Sequence, residues 1–369
     1  MSDDAVQPDR IEGAPHPRET PRLIGQGAAE AAFLDAFTGD RLHHAWLITG
    51  PRGVGKATFA WRAARFLLAH DEGGLLGAPM DLDISPDHPV ARRILARSEP
   101  QLFHITRSVN EDTKRMRDMI VARDVRSLHG FLALSSADGG RRAVILDSAD
   151  EMNVQAANAL LKMLEEPPAR TTLFLISHQP SGLLPTIRSR CRELRLPPLD
   201  AQDMAAALAQ AGIDAEGETQ ALAALSGGSV GEAVRLINLG GLKIYAELVR
   251  LFADLPNIDR PRALSLANAA AQRGAEDKLN LLIWLIELML GRMTSTGATG
   301  AAPSPEGAPG EAQMLARAAP DLSAARRWAD CAQDVGARMR HGRAVNLDPA
   351  ALVLDTVFRI QKTAAGQPA

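Results

Sequence analysis

Cysteine is nearly absent from the chain, which has only Cys191 and Cys331, far apart in its 369 residues. Two such thiols build neither a disulfide framework nor a four-cysteine zinc site. An excess of charge of either sign is also missing: 41 Lys and Arg stand against 44 Asp and Glu, a net of −3. With aromatics at 4%, this speaks against a nucleic-acid-binding module in its own right, although a local basic patch remains compatible with it. The opening MSDDAVQPDR has no apolar signal core. The longest apolar run, Leu279 to Leu290, is interrupted by Glu287 and falls short of the roughly 20 residues a bilayer span needs. The expectation is a soluble, cytoplasmic protein without a membrane. What is present is 46% hydrophobic residues, enough for a sizeable core, and length for two or three domains.

The stretch around which the chain is organised runs from Arg141 to Pro168. Ala143-Val144-Ile145-Leu146 reads as a strand buried on both faces, and Asp147 closes it. In a nucleotide-binding α/β sheet, an acid belongs at that carboxyl end, where ligands collect. After Asp150 and Glu151, Asn153 is placed to cap a helix, and Met152, Ala156, Leu160 and Met163 recur at helical spacing. Pro167 and Pro168 stop it. Upstream, a second strand, Ala45-Trp46-Leu47-Ile48, leads into GPRGVGK, Gly50 to Lys56. Strand, glycine-rich turn with lysine, then helix is the P-loop arrangement. Gly50, Gly53 and Gly55 permit the tight path, the loop amides cradle phosphates, and Lys56 meets the outer ones.

In chain order, residues 1–20 read as a loose tail. Residues 21–198 form the P-loop α/β domain, a parallel sheet flanked by helices. It contains helices over Ala28–Phe37, Lys56–Ala69, Ala91–Leu95 and Lys114–Leu128, and strands over Leu102–Thr106, Thr171–Ser177 and Glu193–Leu196. The helix Lys114–Leu128 carries Lys114, Arg115, Arg117, Arg123 and Arg126, usually a solvated face. His43 and His44 diverge on a strand and read as a polar loop entry, not a metal pair. Residues 199–241 suit a small helical lid, and 242–369 an all-helical collar. Thr294 to Glu311 is Gly, Pro, Ala, Ser and Thr of low complexity, a flexible loop.

An active P-loop ATPase needs a hydroxyl directly after the lysine to hold Mg²⁺. Here that residue is Ala57, and Thr58 lies roughly 100° further round the helix. Such an enzyme also carries an acid after the strand-end Asp; here it is Ser148. Losing a metal ligand and a water-polarising base each costs orders of magnitude in rate. The pattern is that of an ATPase fold without its catalytic equipment.

The runs GPRGVGKAT (50–58), VILDSADEMNVQAANALLKMLEEPP (144–168), TTLFLIS (171–177), IRSRC (187–191) and NLDPAALVLDTVFR (346–359) resemble the delta-prime family of bacterial DNA polymerase III clamp loaders, within the AAA+ superfamily. The similarity extends from about Pro21 to Arg359. It implies a nucleotide-fold domain, a lid and an oligomerising collar. It also implies gamma/tau and delta subunits as partners, with the sliding clamp and primer-template DNA reached through the complex. By the same resemblance Arg190, in SRC, points into a neighbour's ATP site; Arg188 and an internal pair of Arg190 with Glu193 are the rivals from spacing alone. Gly231 stands where active relatives have a nucleotide-sensing Arg. Many relatives carry a four-cysteine zinc module after the first helix, and Asp71 to Ser98 has no cysteine, so zinc is not expected. No cofactor is required; whether ATP or ADP binds without turnover is left open by Lys56 and the glycines. The expected function is a non-hydrolysing component of the DNA-directed DNA polymerase III holoenzyme. The alternative is an active gamma/tau-like ATPase motor.

Overall fold

The computed structural model describes residues 9–70, 79–133, 140–215, 217–272 and 274–367. The chain divides into two compact units, one reaching Asp214 together with Gly228–Gly231, the other made of Ala215–Gly227 and everything from Glu232 on.

The first unit contains α1 (Gly27–Thr38), β1 (Ala45–Thr49), α2 (Lys56–Ala69), α3 (Pro89–Leu95), β2 (Leu102–Ile105), α4 (Ala122–Ala133), β3 (Arg142–Leu146), α5 (Val154–Glu165), β4 (Thr171–Ser177), α6 (Pro185–Arg188), β5 (Arg192–Arg195) and α7 (Ala201–Gln210). The strands form one parallel sheet in the order β2-β3-β4-β1-β5. Their alternation divides the core. Trp46, Ile48, Ala143, Ile145, Phe174 and Ile176 pack on one face with Phe33 of α1 and Phe59 and Phe66 of α2. Leu47, Val144, Leu146, Leu173 and Leu175 pack on the other with Val125 and Leu128 of α4 and Leu160 and Leu164 of α5. A period of two with both faces apolar is what a parallel strand between helix layers requires. β4 lies between β1 and β3, so the loop after β1 and the acid after β3 emerge at one edge, at the strands' carboxyl ends.

Two expectations for this unit are corrected. Residues 9–20, read as part of a loose tail, are packed. His16 is buried, pairs with Asp9 at 2.8 Å and meets the Trp61 ring edge-on, while Arg65 Nη2 donates to Arg18 O at 2.5 Å. Composition missed this because the segment is anchored through Asp9, His16 and Arg18, not through apolar residues of its own. The helix expected over Lys114–Leu128 starts only at Ala122. Before it, Val109 and Met116 form an antiparallel bridge, Asn110 N donates to Arg115 O at 2.8 Å, and Lys114 has φ +56°. A residue in the left-handed region cannot continue a right-handed helix.

The second unit is all helical: α8 (Thr219–Ser226), α9 (Val230–Leu239, its first two residues in the other unit), α10 (Gly241–Phe252), α11 (Arg260–Ala270), α12 (Glu276–Thr299), α13 (Glu311–Ala318), α14 (Leu322–Ala344) and α15 (Pro349–Ala364). α12 packs along α14, and α11 against α15. Among the described residues, α12 alone is long and apolar enough to cross a membrane by length and composition. Its apolar face, from Leu281 to Met293, is buried inside this unit, so it reads as the unit's core helix. The flexible loop expected over 294–311 is corrected as well. α12 continues to Thr299, and Gly307 sits so close to Leu225 and Tyr245 that a Cβ there would lie 2.3 Å from the leucine. Of the residues 199–241, α7 belongs to the first unit and α8 to the second.

Candidate functional site

β1 is buried along its whole length and delivers the chain into Gly50. The loop to Lys56 needs glycine at Gly53, whose φ is +76° and whose Cβ would lie 2.4 Å from Ser229 Oγ and 2.8 Å from Gly231 N. Gly50 (φ +141°) and Gly55 (φ +100°) complete the path, and Gly55 leads directly into α2. Lys56 is only 3% exposed, and its Nζ donates to Gly50 O at 2.7 Å and Pro51 O at 2.5 Å. Burial pushes its pKa down to about 8, against the pull of Asp147 and Asp150 and with help from Arg52.

At the end of β3, Asp147 accepts from the Ser148 amide at 2.9 Å. Burial raises its pKa, and the nearby Asp9 carboxylate adds to the rise; His178 and Lys56 oppose it. Ser148 has φ +55°. Asp150 bonds differently, with Oδ1 accepting from His178 N at 2.9 Å and Oδ2 from Gln179 N at 3.3 Å. Burial would raise Asp150, but its hydrogen bonds to His178 hold it well below the usual carboxylate range. This residue ties the tip after β3 to the end of β4. Asn153 Oδ1 accepts from Ala156 N at 2.8 Å and caps α5.

Ala57, after the lysine, supplies only a methyl group. Gly231, where a sensing arginine was the point of comparison, donates its amide to Gly53 O at 3.1 Å. The absence of a side chain at Gly53 and at Gly231 lets the turn entering α9 close on the phosphate loop itself; a Cβ on Gly231 would lie 3.0 Å from Gly53 Cα and 2.8 Å from Ile11 Cδ1. The structure therefore brings Gly50, Gly53, Gly55, Lys56 and Asp147 to one edge of the sheet, with Gly231 beside them.

Arg190 lies after α6. Ile187, fully buried against the α5 layer, anchors that short helix. The Arg190 side chain is about a third exposed; Nη2 meets Glu165 Oε1 at 2.9 Å, and Nη1 donates to Thr186 O at 2.9 Å. The internal pair with Glu193 considered above does not form: Glu193 instead accepts from Thr49 Oγ1 at 2.8 Å. Arg188 is exposed.

Residues 25–200 match the family model described as DNA polymerase III, delta subunit. This region resembles a DNA polymerase III delta-type domain. Against the delta' subunit of Pseudomonas aeruginosa DNA polymerase III the chain is 39% identical over 207 residues, covering 56% of this chain and 59% of that one. Against the tau subunit from Salmonella typhimurium it is 29% identical over 273 residues, 70% of this chain and 39% of the relative. The chain thus spans less than two thirds of the length of these relatives. A solved gamma subunit-related protein of Thermotoga maritima overlaps 90% of this chain and 99% of its own at 15% identity, with a TM-score of 0.37.

Three features of the first unit escaped the sequence. Asp150 was legible as part of an acidic turn, but not as the residue bonding to the end of β4. Glu165 gave no sign of reaching Arg190, since 25 positions separate them and only the packing of α6 on α5 joins them. Asp9 had no signal at all, although it reaches His16 at 2.8 Å and His104 at 3.6 Å. Burial lowers the His104 pKa to about 4 against the pull of Asp9.

Proposed function

We propose that the chain is a delta-prime-type subunit of the DNA polymerase III clamp loader that does not hydrolyse ATP itself. It assembles with gamma/tau and delta subunits, and the complex loads the sliding clamp onto primer-template DNA in the cytoplasm. Its second, all-helical unit acts as the assembly collar, and Arg190 is offered to the ATP held by a neighbouring subunit. No cofactor or zinc is required for this role.

The observation that carries the reading is a phosphate loop kept in shape and stripped of its chemistry within a delta-type domain. Ala57 and Ser148 remove the metal-holding hydroxyl and the water-polarising acid. Lys56 is bonded to the loop's own carbonyls, and the Gly231 amide takes Gly53 O. An active gamma/tau-like motor is the weaker reading, because all three positions would have to be supplied from elsewhere.

The test is ATP turnover by the highly purified chain, with Lys56→Ala as control for contaminating ATPase. No lysine-dependent turnover is expected. Steady turnover abolished by Lys56→Ala would sink the reading. In the assembled complex, Arg190→Ala is expected to leave assembly intact and lower ATPase at the site facing this subunit. Unchanged ATPase in that complex would make the arginine structural.

A further inference from the structure

The geometry points to Glu165 as the positioning residue for Arg190, setting the direction in which its guanidinium leaves the subunit. The inference rests on the proposed role of Arg190 and adds a residue to it.

Three constraints converge at this point. The backbone of Arg190 is fixed first: its N–H donates to Ile187 O at 3.1 Å, and Ile187 is fully buried in the apolar layer that contains Leu160 and Leu164 of α5. Glu165 is fixed next, as the last residue of α5, with Pro167 and Pro168 ending the helix just beyond it. The side chains then meet, Nη2 to Glu165 Oε1 at 2.9 Å, while Nη1 donates to Thr186 O at 2.9 Å. A guanidinium carries five N–H donors in a rigid planar fork. One N–H is hydrogen-bonded, to Thr186 O, and the other Nη is held by the Glu165 carboxylate as an ion pair, so contacts on two nitrogens set the plane and Nε is left clear of both. A planar fork with free donors is what bidentate phosphate recognition uses.

Stability does not explain the pair. Arg190 is 35% and Glu165 50% exposed, and ion pairs of that kind contribute little to folding. Holding a long, rotamer-rich arginine in one direction is a task such a weak pair can perform, because a partner that bound it much more strongly would not share it with a phosphate. The carboxylate contacts one Nη, leaving the Nε edge clear of it.

The test uses the complete complex, assembled with its DNA polymerase III partner subunits, and measures steady-state ATPase with primed DNA and clamp. Glu165→Ala is expected to lower kcat about five-fold with the KM for ATP nearly unchanged; five-fold is on the order of 1 kcal/mol, at about 1.36 kcal/mol per decade. Glu165→Gln, whose amide oxygen can occupy the place of Oε1 beside Nη2, is expected to recover most of the rate. In an Arg190→Ala background, Glu165→Ala is expected to add nothing. A fall in Arg190→Ala with no change in Glu165→Ala overturns the positioning role alone. A rise in rate in Glu165→Ala overturns it too, since the glutamate would then be holding the arginine back. Additive losses in the double variant would also count against it. Unchanged ATPase in Arg190→Ala removes the arginine's role and this one with it.

Discussion

At the scale of single residues, the phosphate loop can be probed without reference to catalysis. Gly53 has φ +76° and backbone or hydroxyl atoms within 3 Å of any Cβ. Gly53→Ala is therefore expected to destabilise the first unit by about 1–3 kcal/mol, the usual cost of a non-glycine residue held in a strained backbone region. Chemical denaturation checks this, and an unchanged midpoint would mean the turn entering α9 gives way freely. Lys56 supplies a pH test. Its pKa is held down to about 8 from an ordinary 10.5 by burial. Between those values the unfolded chain binds the proton and the folded chain does not. Stability should therefore rise with pH through that window, by on the order of 3 kcal/mol at about 1.36 kcal/mol per unit. The rise should be absent in Lys56→Met. A flat profile in the parent protein would show the ammonium to be solvated.

At the scale of elements, what could be read beforehand was whatever rests on local pattern. α2 begins and ends where Lys56 to Ala69 was expected, and β4 occupies Thr171–Ser177, because apolar periodicity and turn residues are contiguous in sequence. The same local signals placed Asn153 as a cap. α13 was not legible. It follows a Gly- and Pro-rich stretch and is fixed by partners far away in sequence: Glu311 is 1% exposed, pairs with Arg292 at 2.6 Å, accepts from Tyr245 Oη, and takes the Gly307 amide at 2.5 Å. Burial, then the Glu311 charge, raises the Tyr245 pKa and keeps the phenol protonated as the donor. Composition sees the glycines and prolines but not a buried acid that ties three segments together. Glu311→Ala leaves the Arg292 side chain, 10% exposed, without its counter-charge. The expected loss is about 3–5 kcal/mol from the second unit, measured by denaturation followed at Trp328. A loss below 1 kcal/mol would show that Arg292 reaches water instead.

At the scale of the whole molecule, the missing chemistry was legible and its structural consequence was not. Ala57 and Ser148 can be read off the chain, but the amide of Gly231 closing on Gly53 depends on residues 228–231 belonging to the nucleotide-fold unit. That division decides where the protein can be cut. Every strand of the sheet is complete by Arg195, so a chain ending at Asp214 should retain the parallel sheet by circular dichroism. It should be less stable than the parent, because it loses the Leu199 amide bond to Gly228 O as well as the Gly231 amide. A chain ending at Gly241 keeps both bonds. It also keeps α8, whose Leu222 and Leu225 are buried in the second unit, without the rest of that unit to cover them, and it should associate non-specifically on size exclusion. Neither truncation should co-purify with the proposed gamma/tau and delta partners if the helical unit is the collar. Full co-purification of the chain ending at Asp214 would move the assembly surface to the nucleotide-fold unit.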